Sequence, residues 1–361
     1  MFGVFEMDQA RALAEYGHEV CVFSVDLRSL RHKRSFGMRA EDRDGIKVFH
    51  LSLPVGAIPR KLRHLIRKKA VSYLYHKAFA KATKPDIIHA HFFDIAYCTV
   101  PLSKKTHIPL VVTEHSSVLN QPAVSSALRK EAYVAYTNAS QVISVSSALK
   151  RSIERHIGAE SVVIHNTIDL ALFCQIHPEK HQGFVYISVS NLVRSKRIDL
   201  LVDAFAVVRK EYPDSQLVIV GDGPEKEKLE SASERLRLTD AITFTGKITR
   251  PEIAELYKKA DCFVLPSESE TFGVAYAEAM AAGIPVIATK CGGPEDFVTA
   301  DNGMMINTDD LEGLIHSMIA IRENKNQYLS ESIKSYVMQA FSHEVLANEL
   351  TNTYNNILGN L

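Results

Sequence analysis

The sequence predicts an α/β protein of two domains, each organised around a largely parallel sheet. At 361 residues the chain is longer than one hydrophobic core usually supports. Short apolar runs alternate with helical patterns from end to end, as in chains built from βαβ units. A stretch at 166–183, containing Asn, His, Pro and Gly with little periodicity, divides this alternation into two series.

In the first series the strand-like runs are 19–25, 46–51, 86–91, 109–114, 141–145 and 161–164. In the second they are 184–190, 216–221, 241–245, 261–265 and 284–288. Helical patterns between them include 5–16, 60–83, 198–211, 225–237, 251–259 and 272–282, and beyond 305 the pattern is helical to the end. The expected domains are therefore 1–165 and 184–340, joined by 166–183, with 341–361 as a C-terminal helix.

Composition narrows the function class. The chain is 46% apolar and 23% charged, which is ordinary for a globular protein. No apolar run approaches the roughly 18 residues of a membrane span, and no secretory signal is expected. Cys21, Cys98, Cys174, Cys262 and Cys291 are scattered without metal-ligand or disulfide spacing, so reduced thiols and a cytoplasmic protein are expected. The formal net charge is zero, yet residues 1–165 hold 24 Lys and Arg against 14 Asp and Glu. The remainder, from totals of 42 each, holds 18 against 28. No acid occurs between 46 and 85, where Arg60-Lys-Leu-Arg-His-Leu-Ile-Arg-Lys-Lys69 interleaves cations with apolar residues at helical intervals. That pattern suits an anionic membrane surface through 60–84, or equally a solvated helix face. Nothing accompanies it that would read nucleic-acid bases.

The most informative segment is Glu270-Thr-Phe-Gly-Val-Ala-Tyr-Ala-Glu278, which follows the strand-like Asp261-Cys-Phe-Val-Leu-Pro266. A helix opening at Phe272-Gly273 presents backbone N–H groups of Phe272, Gly273 and Val274, a setting that suits an anion. Eight helical positions at about 1.5 Å each would set the two carboxylates about 12 Å apart. Hydrolytic carboxylate pairs stand roughly 5–9.5 Å apart, so two grips on one elongated ligand fit better.

This segment resembles the signature of the retaining glycosyltransferases of family 4 (glycosyl transferases group 1), and a bacterial member is expected. Asp86-Ile-Ile-His-Ala-His91, Pro109-Leu-Val-Val-Thr-Glu-His115, Asn166-Thr-Ile-Asp169, Leu217-Val-Ile-Val-Gly-Asp-Gly-Pro224 and Phe244-Thr-Gly246 follow in the family's order. The resemblance implies the GT-B fold, two Rossmann-like domains facing each other across a cleft. It implies that Glu278 accepts hydrogen bonds from the ribose of a nucleoside-diphosphate sugar, and that Glu270 meets the transferred sugar. His115 would stand near the reacting carbon, Gly221 would close the turn after its strand, and Lys247 and Ile248 would lie near the base. The diphosphate would meet Lys196, with Asn191 standing where the family has Arg; Arg197, or else Arg194, would supply the second cation.

Catalysis of this kind needs no cofactor and no metal. His89 and His91 share one face of a strand, but no third ligand with suitable spacing accompanies them. The expected partners are a nucleotide-sugar donor, a glycan or lipid-linked acceptor and the cytoplasmic face of a membrane. A nucleotide-sugar epimerase of the same fold and a non-catalytic donor-binding subunit are the rival readings. The chain opens directly on a helical pattern, where the family begins with a strand and a Gly-bearing loop. We therefore expect a truncated start, a first sheet with a gap or a distorted pairing between 19–25 and 86–91, and Gly3 as a remnant of that loop.

Overall fold

The computed structural model describes residues 4–28, 35–80, 82–179 and 181–359. Gly3 lies outside them. The chain divides into two compact units, Met1–Thr167 with His343–Leu361, and Ile168–Ser342. Most of the stretch expected to connect the domains is therefore counted within the second unit. There Phe173 packs its ring on Tyr257 and beneath the Arg250 guanidinium.

In the first unit, α1 (Val4–Glu15) leads to β1 (Cys21–Asp26), β2 (Gly37–Arg43) and β3 (Ile46–Ser52). After α2 (Arg60–Phe79) come β4 (Ile88–His91), α3 (Phe93–Thr106), β5 (Leu110–Glu114), α4 (Ser126–Thr137), β6 (Gln141–Ser144), α5 (Ser147–Ile157) and β7 (Val162–Val163). Two sheets result, in the orders β1-β3-β2 and β4-β5-β6-β7. β2 was not expected from the sequence, since its exposed, charged residues carry no apolar alternation. It pairs antiparallel with β3 through Asp44-Gly45, where both residues take positive φ, as a two-residue hairpin turn requires.

β1 and β4 form no strand pair with each other. They nevertheless share their covering layers. Phe23 and Val25 of β1 and Ile88 of β4 pack with Val71 and Tyr75 of α2. Val20 and Ile87, which precede the two strands, pack against a cluster that includes Ala12 and Leu13 of α1. The interruption expected in the first sheet thus falls between these two strands.

In the second unit, α6 (Leu170–Phe173), β8 (Phe184–Val189), α7 (Ile198–Glu211), β9 (Ser215–Val220), α8 (Lys226–Arg235), β10 (Ile242–Gly246) and α9 (Arg250–Tyr257) are followed by β11 (Cys262–Leu265) and α10 (Val274–Ala281). β12 (Val286–Thr289), β13 (Gly303–Ile306), α11 (Leu311–Glu323) and α12 (Ser330–Phe341) complete it. The sheet order is β10-β9-β8-β11-β12-β13 and every pairing is parallel. β11 and β12 are buried on both faces, which explains their unbroken apolar runs. β13 was hidden in a segment that begins and ends among helical patterns.

The chain closes with α13 (His343–Gly359), which packs in the first unit. Leu346, Ala347, Leu350 and Tyr354 join Val111 of β5 and Ile143 of β6 in one buried cluster. His18 Nε2 lies 2.7 Å from Thr351 Oγ1, and His343 Nδ1 lies 2.7 Å from Glu15. Leu350→Ala should leave a cavity here and cost about 2–5 kcal/mol. Hydrogen exchange should show this as lost protection of β5 and β6 amides, with β8 and β9 unaffected; equal loss in both units would contradict the assignment.

Candidate functional site

The strand order of the second unit reverses direction between β8 and β11. In such sheets the loops leaving the carboxyl ends of those two strands diverge, and ligands bind in the crevice that opens there. The loop after β8 carries Asn191, Arg194, Lys196 and Arg197; the loop after β11 carries Ser267 and Glu270. These loops meet. Lys196 Nζ donates to Glu270 Oε1 at 2.6 Å, and Ser267 Oγ donates to the same oxygen at 2.8 Å. Both charged side chains are mostly buried, so this is a partly desolvated pair and not a surface contact. Asn191 is exposed.

Glu270 is held by backbone as well. Its N–H donates to Cys291 O at 3.0 Å and its carbonyl accepts from Gly293 N–H at 3.0 Å. The loop then turns through Gly273, whose φ of 96° would strain any side chain, and enters α10. The amides of Gly273 and Val274 occupy the first turn, where a helix leaves its N–H groups without intrahelical partners. The Phe272 ring is buried and packs on Phe297 and Phe341 at centroid distances of 5.2 and 5.3 Å, which fixes the start of α10.

Glu278 lies further along α10 and is only 6% exposed. Its Oε1 accepts from Arg250 Nε at 2.9 Å. Arg250 begins α9 two residues after Ile248, so the Glu278 partner is close in sequence to the residues expected near the base. Gly221 N–H donates to Gly246 O at 3.0 Å. With φ at 137°, a Cβ on Gly221 would stand 1.8 Å from Ser190 O, so its glycine is required by the approach of the β8 and β9 loops.

Arg197 departs from expectation. Its guanidinium pairs with Asp199 at 3.3 Å, Glu268 at 3.6 Å and Asp309. Three carboxylates thus surround its charge in this arrangement. Arg250 was missed: the sequence shows it only as the first helical residue inside a capping box that runs from Thr249 to Glu252. Among the described residues no group of three His, Cys, Asp or Glu could hold a metal ion.

In the first unit, β4 and β5 end side by side and bring three histidines together. His89 and His91 stack at 5.1 Å, and His91 Nδ1 faces His115 Nε2 at 3.0 Å. Phe5 of α1 stacks on His115 at 5.1 Å, and His115 Nδ1 is buried without a partner. Burial lowers all three imidazoles, His91 to about 4 and the others well below the usual value.

Next to His115, Glu114 is fully buried. It accepts four hydrogen bonds, from the N–H groups of Phe93, His115 and Ser116 and from Tyr136 Oη at 2.6 Å. Burial pushes its carboxyl up to about 7 against those bonds. Its role is to tie β5 to the starts of α3 and its own loop and to α4, and nothing in the sequence marked it.

The chain matches the Glycosyltransferase Family 4 model over residues 4–172 and the Glycosyl transferases group 1 model over residues 173–337. It belongs to the group 1 glycosyltransferases of the family 4 type. The chain is 27% identical over 256 residues to a glycogen synthase of Mycobacterium tuberculosis, covering 68% of this chain and 62% of that protein. The chain thus spans less than two thirds of that relative. Its fold is similar to a sucrose-phosphate synthase of Thermosynechococcus elongatus, with a TM-score of 0.83 and 22% identity over 99% of this chain and 94% of the other. It is also similar to an Anabaena protein solved with UDP and glucose, with a TM-score of 0.72 and 22% identity over 93% and 99% of the two chains. The chain therefore has the GT-B fold of two Rossmann-like domains. The epimerase reading is not the family that the chain matches.

Acidification should weaken the first unit. The three histidines are neutral when folded, so the stability they contribute is present above about 6.5, their ordinary value, and is lost as pH falls below it, through about 4 in the case of His91. The slope is about 1.4 kcal/mol per pH unit for each histidine. Glu114 acts oppositely, its contribution being present below about 4.5 and lost as pH rises through about 7. Three histidines outweigh one carboxylate, so urea midpoints should fall between pH 6.5 and 4.5. Imidazole resonances titrating near 6.5 in the folded protein would refute this.

Proposed function

We propose that this transferase moves a sugar, with retention, from a nucleoside-diphosphate sugar to a hydroxyl of a glycan or lipid-linked acceptor. The observation that carries the reading is the Lys196–Glu270 pair at the switch point of a parallel sheet, beside the first turn of α10. A donor diphosphate placed there takes Lys196 and the Gly273 and Val274 amides as its cationic and dipolar partners. Glu270, released from Lys196, accepts from hydroxyls of the sugar, and Glu278, oriented by Arg250, accepts from the ribose. The fold shared with a protein solved with UDP and glucose supports a uridine nucleotide as the first donor to test.

In the transfer step the bond from the anomeric carbon to the diphosphate oxygen breaks. The acceptor oxygen bonds to that carbon on the face being vacated, and its proton passes to a diphosphate oxygen. No cofactor or metal enters. The protein supplies position and charge stabilisation, and the buried neutral His115 orients the sugar. Surface-polysaccharide or envelope-glycan assembly at the cytoplasmic face of a membrane suits this chemistry.

Calorimetric titration with uridine and guanosine diphosphate sugars, together with nucleotide release, tests the reading. Glu278→Gln should cost about 1.5–3 kcal/mol of nucleotide affinity, since a charged acceptor is lost. His115→Ala should lower turnover while nucleotide affinity persists. Unchanged affinity in the first variant sinks the ribose assignment, and nucleotide binding without release across the panel would favour a non-catalytic subunit.

The same proposal extends to α2. Leu62, Leu65 and Tyr73 are exposed along this helix among Lys61, Lys69 and Lys77. Such a face suits the surface of an anionic bilayer; among the described residues no helix is long and apolar enough to cross one. Changing Lys61, Lys69 and Lys77 to Gln should weaken sedimentation with anionic liposomes by about 1 kcal/mol per residue, and added salt should do the same. Equal binding to neutral and anionic vesicles would exclude the docking face.

A further inference from the structure

Beside α2 lies a second feature, a cavity of about 320 Å³ lined by Arg60, Arg63, His64 and Arg67 together with Phe92 and Ser116. Three guanidiniums on successive turns converge on one space. Arg60 pairs with Glu131, and Arg67 Nη1 donates to Asp94, which also lines the cavity, at 2.7 Å. Those carboxylates fix two of the guanidiniums in place. Arg63 has no acidic partner among the described residues, so the cavity keeps an excess positive charge.

The cavity stands at a chemically meaningful place. Ser116 follows His115 at the end of β5, and Phe92 follows His91 at the end of β4. Phe92 adopts a φ of 68°, which is strained for an aromatic residue and persists because the surrounding structure holds it. Arginine is suited to this position because its planar fork of donors matches phosphate oxygens, and its charge does not titrate.

We propose that this cavity is an acceptor subsite for a phosphate group, held by Arg60, Arg63 and Arg67, so that the acceptor of this transferase is a phosphorylated molecule. The assignment rests on the glycosyl-transfer reading for its meaning, but the phosphate site can be measured without it. A phosphate anchored here leaves the acceptor's hydroxyl to be presented on the His115 side. It is also distinct from the donor diphosphate site, which is built from Lys196 and α10 in the second unit.

The test uses the full chain with Lys196→Ala, which silences the donor site, and compares it with the same protein also carrying Arg63→Gln. Arg63 is exposed, so its replacement leaves the core intact. Inorganic phosphate titrated at constant ionic strength should bind the first protein saturably and the second at least tenfold more weakly. Lys105→Gln, an exposed lysine of α3 outside the cavity, should have no effect. Equal binding with and without Arg63, or no saturable binding, overturns the proposal. Uridine diphosphate titrated into the otherwise unaltered chain and into the Arg63→Gln single variant reports separately on the donor site. Its failure to bind either would count against the transferase reading while leaving the phosphate result standing.

Two further arms identify the source of the phosphate. Phosphatidylcholine vesicles carrying phosphatidic acid are compared with vesicles carrying phosphatidylglycerol at matched charge, and glycerol 3-phosphate serves as the soluble probe. A preference for phosphatidic acid that Arg63→Gln abolishes places the phosphate on a lipid. Binding of glycerol 3-phosphate without any vesicle preference places it on a soluble acceptor.

Discussion

Parallel strand pairing is the constraint on which the rest of this molecule depends. When every strand of a sheet runs the same way, all carboxyl ends lie along one edge. When the order is β10-β9-β8-β11-β12-β13, consecutive connections leave that edge in opposite directions at a single place. The loops after β8 and β11 flank that place, and they bring Lys196 and Glu270 to 2.6 Å although 74 positions separate them. The remaining features serve to keep the edge intact. Gly221 lets two loops approach more closely than a Cβ would allow, and Phe272 anchors the start of α10 in an aromatic cluster.

The first unit solves the same problem with a buried carboxyl group. Glu114 has no exposed surface, and burial alone would make it too costly to ionise, yet four donors converge on its two oxygens. Each donor comes from the rim of the parallel sheet or from a helix packed on it. Removing any one of them would leave the carboxylate under-compensated, so the group holds the ends of β4 and β5 and the start of α3 in register. The three neighbouring histidines sit in the same dry region. Apart from Glu114, which already meets four donors, no charged partner raises them, and so they remain neutral.

Much of this was legible in the chain. Nearly all the parallel strands announced themselves as apolar runs between helical patterns, because a strand buried on both faces has no reason to alternate. The Glu270-to-Glu278 segment declared a loop entering a helix, and the structure places both carboxylates in the second unit, each with a basic partner. What escaped notice was governed by different physics. β2 is exposed and charged, so its hairpin was visible only in the Asp44-Gly45 turn. β13 is four residues long and surrounded by helical sequence. Arg250 looked like an ordinary helix-start residue, and Arg197 looked like a free cation beside Lys196 until Asp199, Glu268 and Asp309 were seen around it.

The sequence by itself determined the fold class, the family and which residues stand in the loops on either side of the switch point. Those properties follow from local periodicity and from motifs that keep their order along the chain. Only the tertiary structure decided how the charges are spent. An ion pair depends on which side chains from distant loops arrive within about 4 Å, and spacing along the chain carries no record of that distance. The same reason separates the basic residues of α2 into two populations. Lys61, Lys69 and Lys77 face outward, whereas Arg60, Arg63 and Arg67 line a cavity whose other wall is made by the ends of β4 and β5. Periodicity alone marked them as one cationic stretch; packing against a second element gave half of them a different task.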